Sequence, residues 1–100
     1  MKIRVLTSAS RDITDNFQFY EDQEVELGIH FLRAINAAID SLQVTAGIHS
    51  VHFEHFHRLL ADKFPFSILY RVIDDEVVVF AVYHNRADAD RIREELDSIQ

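Results

Sequence analysis

The chain has 100 residues, of which 48% are hydrophobic, with two glycines and one proline, and this composition predicts a single folded domain over residues 1–100. It has no cysteine, which excludes disulfide bonds and thiolate metal sites, and no segment resembles a membrane span or a signal peptide, so we expect a cytoplasmic protein. The formal net charge of −7 argues against nucleic-acid binding, because phosphate binders usually present a positive face, although a local basic patch would still permit it.

The first half of the chain predicts one strand followed by two helices. Residues 2–7 are rich in β-branched side chains and predict a short first strand. Apolar residues at helical spacing then predict an amphipathic helix over roughly residues 10–22, with Ser8 and Ser10 as N-cap candidates. A second helix is expected over about residues 25–43, and the short joint between the two helices predicts an antiparallel helical hairpin. Gly28 within this pattern indicates either close contact with the first helix or a delayed helix start.

The second half predicts three strands and a helix. Residues 44–54 show no clear pattern apart from a turn at Gly47, and residues 55–61 predict a strand. Two apolar arms, residues 64–73 and 77–86, are separated by a short polar break and predict a β-hairpin. Residues 88–99 predict a short helix. The expected fold is therefore α+β, in the order β-α-α-β-β-β-α, with an antiparallel sheet and the N-terminal helical hairpin on one face.

This ordered set of elements resembles the RelE/ParE superfamily of bacterial toxins. The resemblance is strongest over residues 58–72, which include Phe-Pro-Phe-x-Ile-x-Tyr-Arg-Val, and over residues 77–88, which read Val-Val-Val-x-Ala-Val-x-His-x-Arg-x-Asp. Members are the toxin halves of type II toxin–antitoxin modules and are often described as plasmid stabilisation proteins. The resemblance implies growth inhibition as the activity and a cognate antitoxin as partner. So small a chain with many large apolar residues also suggests a surface that a partner covers, in either a homodimer or a hetero-oligomer with the antitoxin. We expect no cofactor.

The resemblance also implies two alternative targets. RelE-like members are ribonucleases that cut messenger RNA, usually on the ribosome, whereas ParE-like members poison DNA gyrase and lack nuclease activity. The nuclease branch carries several lysines and arginines on the strand before the hairpin, but residues 55–62 here contain a single arginine, Arg58, and an aspartate, Asp62. Together with the acidic net charge, this departure favours the ParE-like interpretation.

Four residues match the site positions of the family and would be catalytic if the chain were a ribonuclease: Arg58, Arg71, His84 and Arg86. Metal-free RNA cleavage requires a base, an acid and cations that stabilise the phosphate. His84 suits the first two roles because the unperturbed pKa of a histidine side chain is near neutral. The arginines suit a phosphate clamp. His84 could instead bond a backbone carbonyl at the end of the sheet.

The arginines also have a purely structural interpretation. Arg71 could pair with an acid at residues 74–76, and Arg86 could pair with Asp88 or Asp90. Three further residues, Lys63, Tyr70 and Tyr83, are candidates for target binding at the rim of the sheet. Tyrosines at such positions are also common as core or rim aromatics.

A cluster of histidines precedes the hairpin, at His49, His52, His55 and His57. Several imidazoles could hold zinc, but no Asp or Cys completes a recognised ligand spacing. We therefore favour a pH-sensitive edge and expect no metal. A non-toxic binding module on the same scaffold, with or without a histidine-bound metal, stays an alternative.

Overall fold

The computed structural model describes residues 1–99. The elements in chain order are β1 (Lys2–Val5), α1 (Thr7–Gln23), α2 (Leu27–Thr45), β2 (Val51–His52), β3 (Phe56–Leu60), β4 (Phe66–Ile73), β5 (Glu76–His84) and α3 (Ala89–Ile99). The strands form one five-stranded sheet with the order β1-β5-β4-β3-β2. The α+β class and the helical hairpin on one face of the sheet are confirmed. Within residues 1–99, no helix is both long enough and apolar enough to span a membrane.

The sheet differs from the expected one in two details. A fifth strand, β2, pairs antiparallel with β3 over two residue pairs, and so short a strand carries no readable period in the sequence. β1 pairs parallel with β5, from Lys2 opposite Glu76 to Val5 opposite Val79, so the sheet is mixed. Strand direction at this edge depends on a partner more than 70 residues away, which local sequence does not reveal.

Two hydrophobic cores lie on opposite faces of the sheet. On the first face, which we call the hairpin face, α1 and α2 cover a core that includes Phe31, Phe66 and Tyr70. On the second face, which we call the α3 face, Ile92 and Leu96 of α3 cover a smaller core. The strands β4 and β5 are shared by both cores, which explains why they read as continuous apolar runs.

The two helices of the hairpin touch at Gly28. A Cβ atom built on Gly28 would lie 2.7 Å from the backbone oxygen of Phe17, so only glycine fits without movement. The Glu21 carboxylate accepts the backbone N–H groups of Glu26 and Gly28, both at 3.1 Å, and so satisfies donors at the start of α2. The structure therefore shows both features offered as alternatives for Gly28: the close helix contact, and a helix that begins at Leu27, two residues after the expected start.

α1 begins at Thr7, three residues earlier than the sequence pattern predicts, and neither Ser8 nor Ser10 caps it. Ser8 instead donates its hydroxyl to the backbone oxygen of Phe80 at 2.7 Å. Four residues later on the same helix, the Asp12 carboxylate accepts the N–H of Val82 at 2.9 Å. Side chains of α1 thus continue the edge of β5 beyond the end of β1.

The β4–β5 hairpin contains one bulge that decides where its last side chains point. Leu69 is opposite Ala81 but Tyr70 is opposite Val79, so Phe80 has no partner residue on β4. Phe80 and Ala81 both contact the α3-face core, after which Val82 returns to the hairpin face. Each residue of β5 after the bulge therefore lies on the face opposite to the one that strict alternation from Val78 would give.

Candidate functional site

A polar cluster lies on the α3 face, near the end of the hairpin. Arg58 of β3 donates its Nε–H to the Ser67 hydroxyl at 2.8 Å, and Ser67 donates to Asn85 Oδ1 at 2.5 Å. Ser67 is fully buried, so this chain of bonds satisfies a hydroxyl that has no access to water. Tyr83 lies beside them, and we call Arg58, Ser67, Tyr83 and Asn85 the Arg58 cluster.

Arg58, Tyr83 and Asn85 of this cluster line a cavity of about 180 Å³, together with His52 of β2 and Phe53. Burial raises the pKa of Tyr83 above 10.0, while the Arg58 cation opposes that rise. A guanidinium, a phenol, an amide and an imidazole thus surround one small space. This set of donors suits an anionic group, because guanidinium and amide N–H groups match phosphate or carboxylate oxygens.

The structure does not bring the four family-matched residues together. Arg71 shares the α3 face with Arg58, and its guanidinium carbon lies 6.0 Å from the centroid of the Phe56 ring. His84 lies on the opposite, hairpin face, where its ring contacts Phe66 at a centroid distance of 5.3 Å. The sheet therefore separates His84 from Arg58 and Arg71.

His84 and Arg86 instead contact one another. The backbone N–H of Arg86 donates to His84 Nδ1 at 3.0 Å, so His84 accepts a backbone N–H rather than donating to the expected backbone carbonyl. Since Nδ1 accepts, a neutral His84 carries its proton on Nε2.

The expected ion pairs of the arginines do not form within residues 1–99. The hairpin acid Glu76 pairs with Arg4 of the neighbouring β1 at 2.8 Å rather than with Arg71. The other two ion pairs of this part of the chain are Arg91–Glu95 and Arg93–Glu54, and neither involves Arg86. Arg71 is held against an aromatic ring instead, as a cation over a π face.

The three target-binding candidates lie in three different places. Tyr70 has 0% relative exposure, so it is a core aromatic with no surface for a partner, and its assignment to a contact surface is corrected. Tyr83 faces the α3-face cavity. Lys63 lies in the β3–β4 connection with φ 70°, next to a groove on the hairpin side of the molecule.

That groove runs between α2 and the β3–β4 connection and has a volume of about 630 Å³. Its apolar lining consists of Ala34, Ala37, Ala38, Leu59, Leu60 and Phe64. The ionisable residues of the lining are His30, Arg33, Asp62 and Lys63. The alanine side chains of α2 end at Cβ and so leave this space open. Leu60, which also lines the groove, is 59% exposed.

The histidine cluster does not converge on one point. His49 bonds to the Tyr70 hydroxyl, His52 lies 3.0 Å from the Ser50 hydroxyl, and His57 Nδ1 lies 2.7 Å from the backbone oxygen of His49. Across residues 1–99, no three His, Asp or Glu side chains are placed to hold a metal ion. The imidazoles of His49, His52 and His57 form hydrogen bonds at the sheet edge instead.

Sequence reasoning missed Ser67 and Asp12. Ser67 is the only hydroxyl in the apolar run of β4 before Tyr70, and a buried hydroxyl requires a partner, so it carried a usable signal. Asp12 carried no such signal, because its spacing in the sequence is typical of an acidic residue on a solvated helix face. Burial raises the pKa of Asp12 to about 6, although the N–H of Val82 opposes the rise.

Comparison with known proteins supports the fold. No protein-family model matches the chain, and no curated protein sequence matches it. A solved structure described as "Chromosomal ParDE TA system from P. aeruginosa" is similar, with a TM-score of 0.77 and 18% sequence identity over 84% of this chain and 95% of that chain. At this identity the likeness establishes the fold, and it confirms the architecture that the resemblance to RelE/ParE toxins implies.

Proposed function

We propose that this chain is the toxin of a type II toxin–antitoxin module, that it inhibits a protein target such as DNA gyrase by direct binding, and that a cognate antitoxin neutralises it. The observation that carries the proposal is the fold shared with a solved toxin–antitoxin system over 84% of the chain. The separation of His84 from Arg58 and Arg71 by the sheet supports protein binding over RNA cleavage. The net charge of −7 supports it too.

The groove beside α2 is the surface proposed for the antitoxin. It extends from His30 to Ser41 along α2, a distance of about 16 Å at 1.5 Å per residue, which matches three turns of a partner helix. Its apolar floor suits the apolar face of an amphipathic helix. Arg33 and Lys63 outnumber Asp62 among the charged residues of the lining, so the groove suits acidic residues on the flanks of that helix.

The first test is bacterial growth after tightly controlled induction of this chain, alone and together with the adjacent small gene. We expect that this chain alone arrests growth and that co-expression of the adjacent gene relieves the arrest. Normal growth with soluble, folded protein would contradict an active toxin in that host. Purified toxin should then inhibit gyrase supercoiling while transcripts stay intact.

A matched pair of variants tests the groove. Ala37→Arg places a long side chain in the groove, so it should keep the growth arrest but abolish its relief by the neighbour. Val44→Arg is the control, since Val44 lies on the same helix, is 89% exposed and does not line the groove. Equal relief of both variants would exclude the groove as the antitoxin surface.

The Arg58 cluster favours one second candidate, an endoribonuclease of the RelE-like kind. Arg58 and Tyr83 border a cavity that also contains His52, so a phosphate there would meet a cation, a phenol and an imidazole. In this version His52, rather than His84, would supply acid–base chemistry. Transcript mapping after induction distinguishes the candidates, because cleavage that Arg58→Met abolishes and His84→Ala spares would favour the nuclease.

A further inference from the structure

Residues 47–55, which precede β3, are attached to the sheet through hydrogen bonds that meet at Tyr70. Gly47, whose φ of +94° suits glycine, donates its backbone N–H to the Tyr70 hydroxyl at 2.9 Å. The same hydroxyl bonds to His49 Nδ1. His57 Nδ1 then contacts the backbone oxygen of His49 at 2.7 Å, and its ring stacks on Tyr70 at a centroid distance of 5.1 Å.

These bonds favour one protonation state of His49. A backbone N–H can only donate, so the Tyr70 hydroxyl accepts from Gly47. The hydroxyl has one proton of its own, and His49 Nδ1 can accept a hydrogen bond from it only when this nitrogen is unprotonated. A carbonyl can only accept, so His57 Nδ1 carries a proton and its bond to His49 survives protonation of His57.

We propose that residues 47–55 form a pH-operated latch, in which neutral His49 holds the segment on Tyr70 and protonation of His49 releases it from the edge of the sheet at β3. A protonated Nδ1 would leave the hydroxyl proton of Tyr70 without an acceptor at a buried site. The released segment includes β2 and Ser50, whose backbone oxygen accepts the N–H of Arg58 at 2.9 Å. The outer edge of β3 would then lose its strand partner.

The surroundings of His49 support this direction. β3 presents His57 to it and β4 presents Tyr70, while the last turn of α2, residues 41–45, carries no charged side chain. On its own segment, His52 contacts Ser50. Burial and the neighbouring His57 lower the pKa of His49 below 6.5. Because the released segment takes up the proton more readily, the latch loses stability as pH falls below 6.5.

Amide hydrogen exchange between pH 5 and pH 8, corrected for intrinsic rates, tests the latch. The probes are the Gly47 and Arg58 amides, whose bonds depend on the closed segment. Their opening constant should rise by up to about tenfold for each unit that pH falls below 6.5. The amide of Ile68 in the centre of β4 should not follow them.

Three variants complete the test. His49→Gln should abolish the pH dependence, and His30→Gln, which changes an exposed histidine of α2, should leave it intact. Tyr70→Phe should return the His49 pKa, followed by its imidazole NMR signals, toward 6.5. Persistent pH dependence in His49→Gln would overturn the latch. A His49 pKa at or above 6.5 in the wild-type protein would also overturn the latch, and this measurement does not depend on the folding of any variant. The latch does not depend on the proposed function.

Discussion

Asp12 of α1 accepts the backbone N–H of Val82 at 2.9 Å, and the two residues are 70 positions apart in the chain. Val82 is the second residue after the unmatched Phe80 of the β5 bulge. Ser8 lies one helical turn before Asp12, and its hydroxyl donates to the backbone oxygen of Phe80. The helix α1 therefore holds the bulge in place through two side chains.

The first prediction concerns the charge of Asp12. Because burial raises its folded pKa from 3.8 to about 6, its contribution to stability is fully present below pH 3.8 and is lost as pH rises through 6. Asp12→Asn keeps an acceptor for Val82 without the buried charge. It should raise the free energy of unfolding at pH 7 by about 1 kcal/mol, allowing for solvent screening, and by nothing near pH 3.5.

Urea denaturation at both pH values measures this difference. Asp12→Ala is the counterpart variant, since it leaves the Val82 N–H without a partner and should cost about 1–3 kcal/mol near pH 3.5. At pH 7 its cost should be about 1 kcal/mol smaller, because alanine also removes the buried charge. An Asp12→Asn variant less stable than wild type at pH 7 would show that the carboxylate charge is favourable there.

The second prediction concerns helix contact at Gly28. Gly28→Ala adds about 1 kcal/mol of helix propensity, but the new Cβ would lie 2.7 Å from the Phe17 backbone oxygen. Displacement of a backbone atom costs more than the propensity gain, so the free energy of unfolding should fall by about 1–2 kcal/mol. Chemical denaturation provides the measurement. Asn36→Ala at an exposed position of α2 is the control and should not destabilise.

The third prediction concerns the turn between β4 and β5. Asp74 and Asp75 both adopt left-handed backbone angles, with φ of 50° and 63°, as a two-residue hairpin turn requires. Asp75→Gly relieves that strain and should raise the thermal midpoint, with a gain of about 0.5–1 kcal/mol. Asp75→Ala keeps the strain and loses the carboxylate, so a stabilised alanine variant would indicate charge repulsion as the dominant effect.

The fourth prediction concerns the electrostatics of the Arg58 cluster. The Arg58 cation opposes the rise in the pKa of Tyr83 that burial causes. Arg58→Met should therefore raise the pKa of Tyr83 further, as followed by NMR of the tyrosine ring at high pH. Arg71→Met is the matched control, because Arg71 contacts Phe56 rather than Tyr83. An unchanged Tyr83 pKa in the Arg58→Met variant would show that the two side chains do not interact.

The candidate site shows how one local irregularity changes a chemical interpretation. Strict alternation along β5 from Val78, which faces α3, would place His84 on the α3 face beside Arg58 and Arg71. The bulge at Phe80 reverses this, so Tyr83 faces α3 and His84 contacts Phe66 on the other side. Sequence reasoning grouped His84 with the arginines because periodicity carries no sign of a bulge.

The sequence by itself determined the order of the main elements and the β4–β5 turn, because the apolar period and the turn residues act over a few neighbouring positions. Only the tertiary structure decided the parallel pairing of β1, the use of Asp12 and Ser8 at the bulge, the burial of Tyr70 and the facing of His84. Each of these depends on partners distant in the chain, whose positions are set by packing of the two cores.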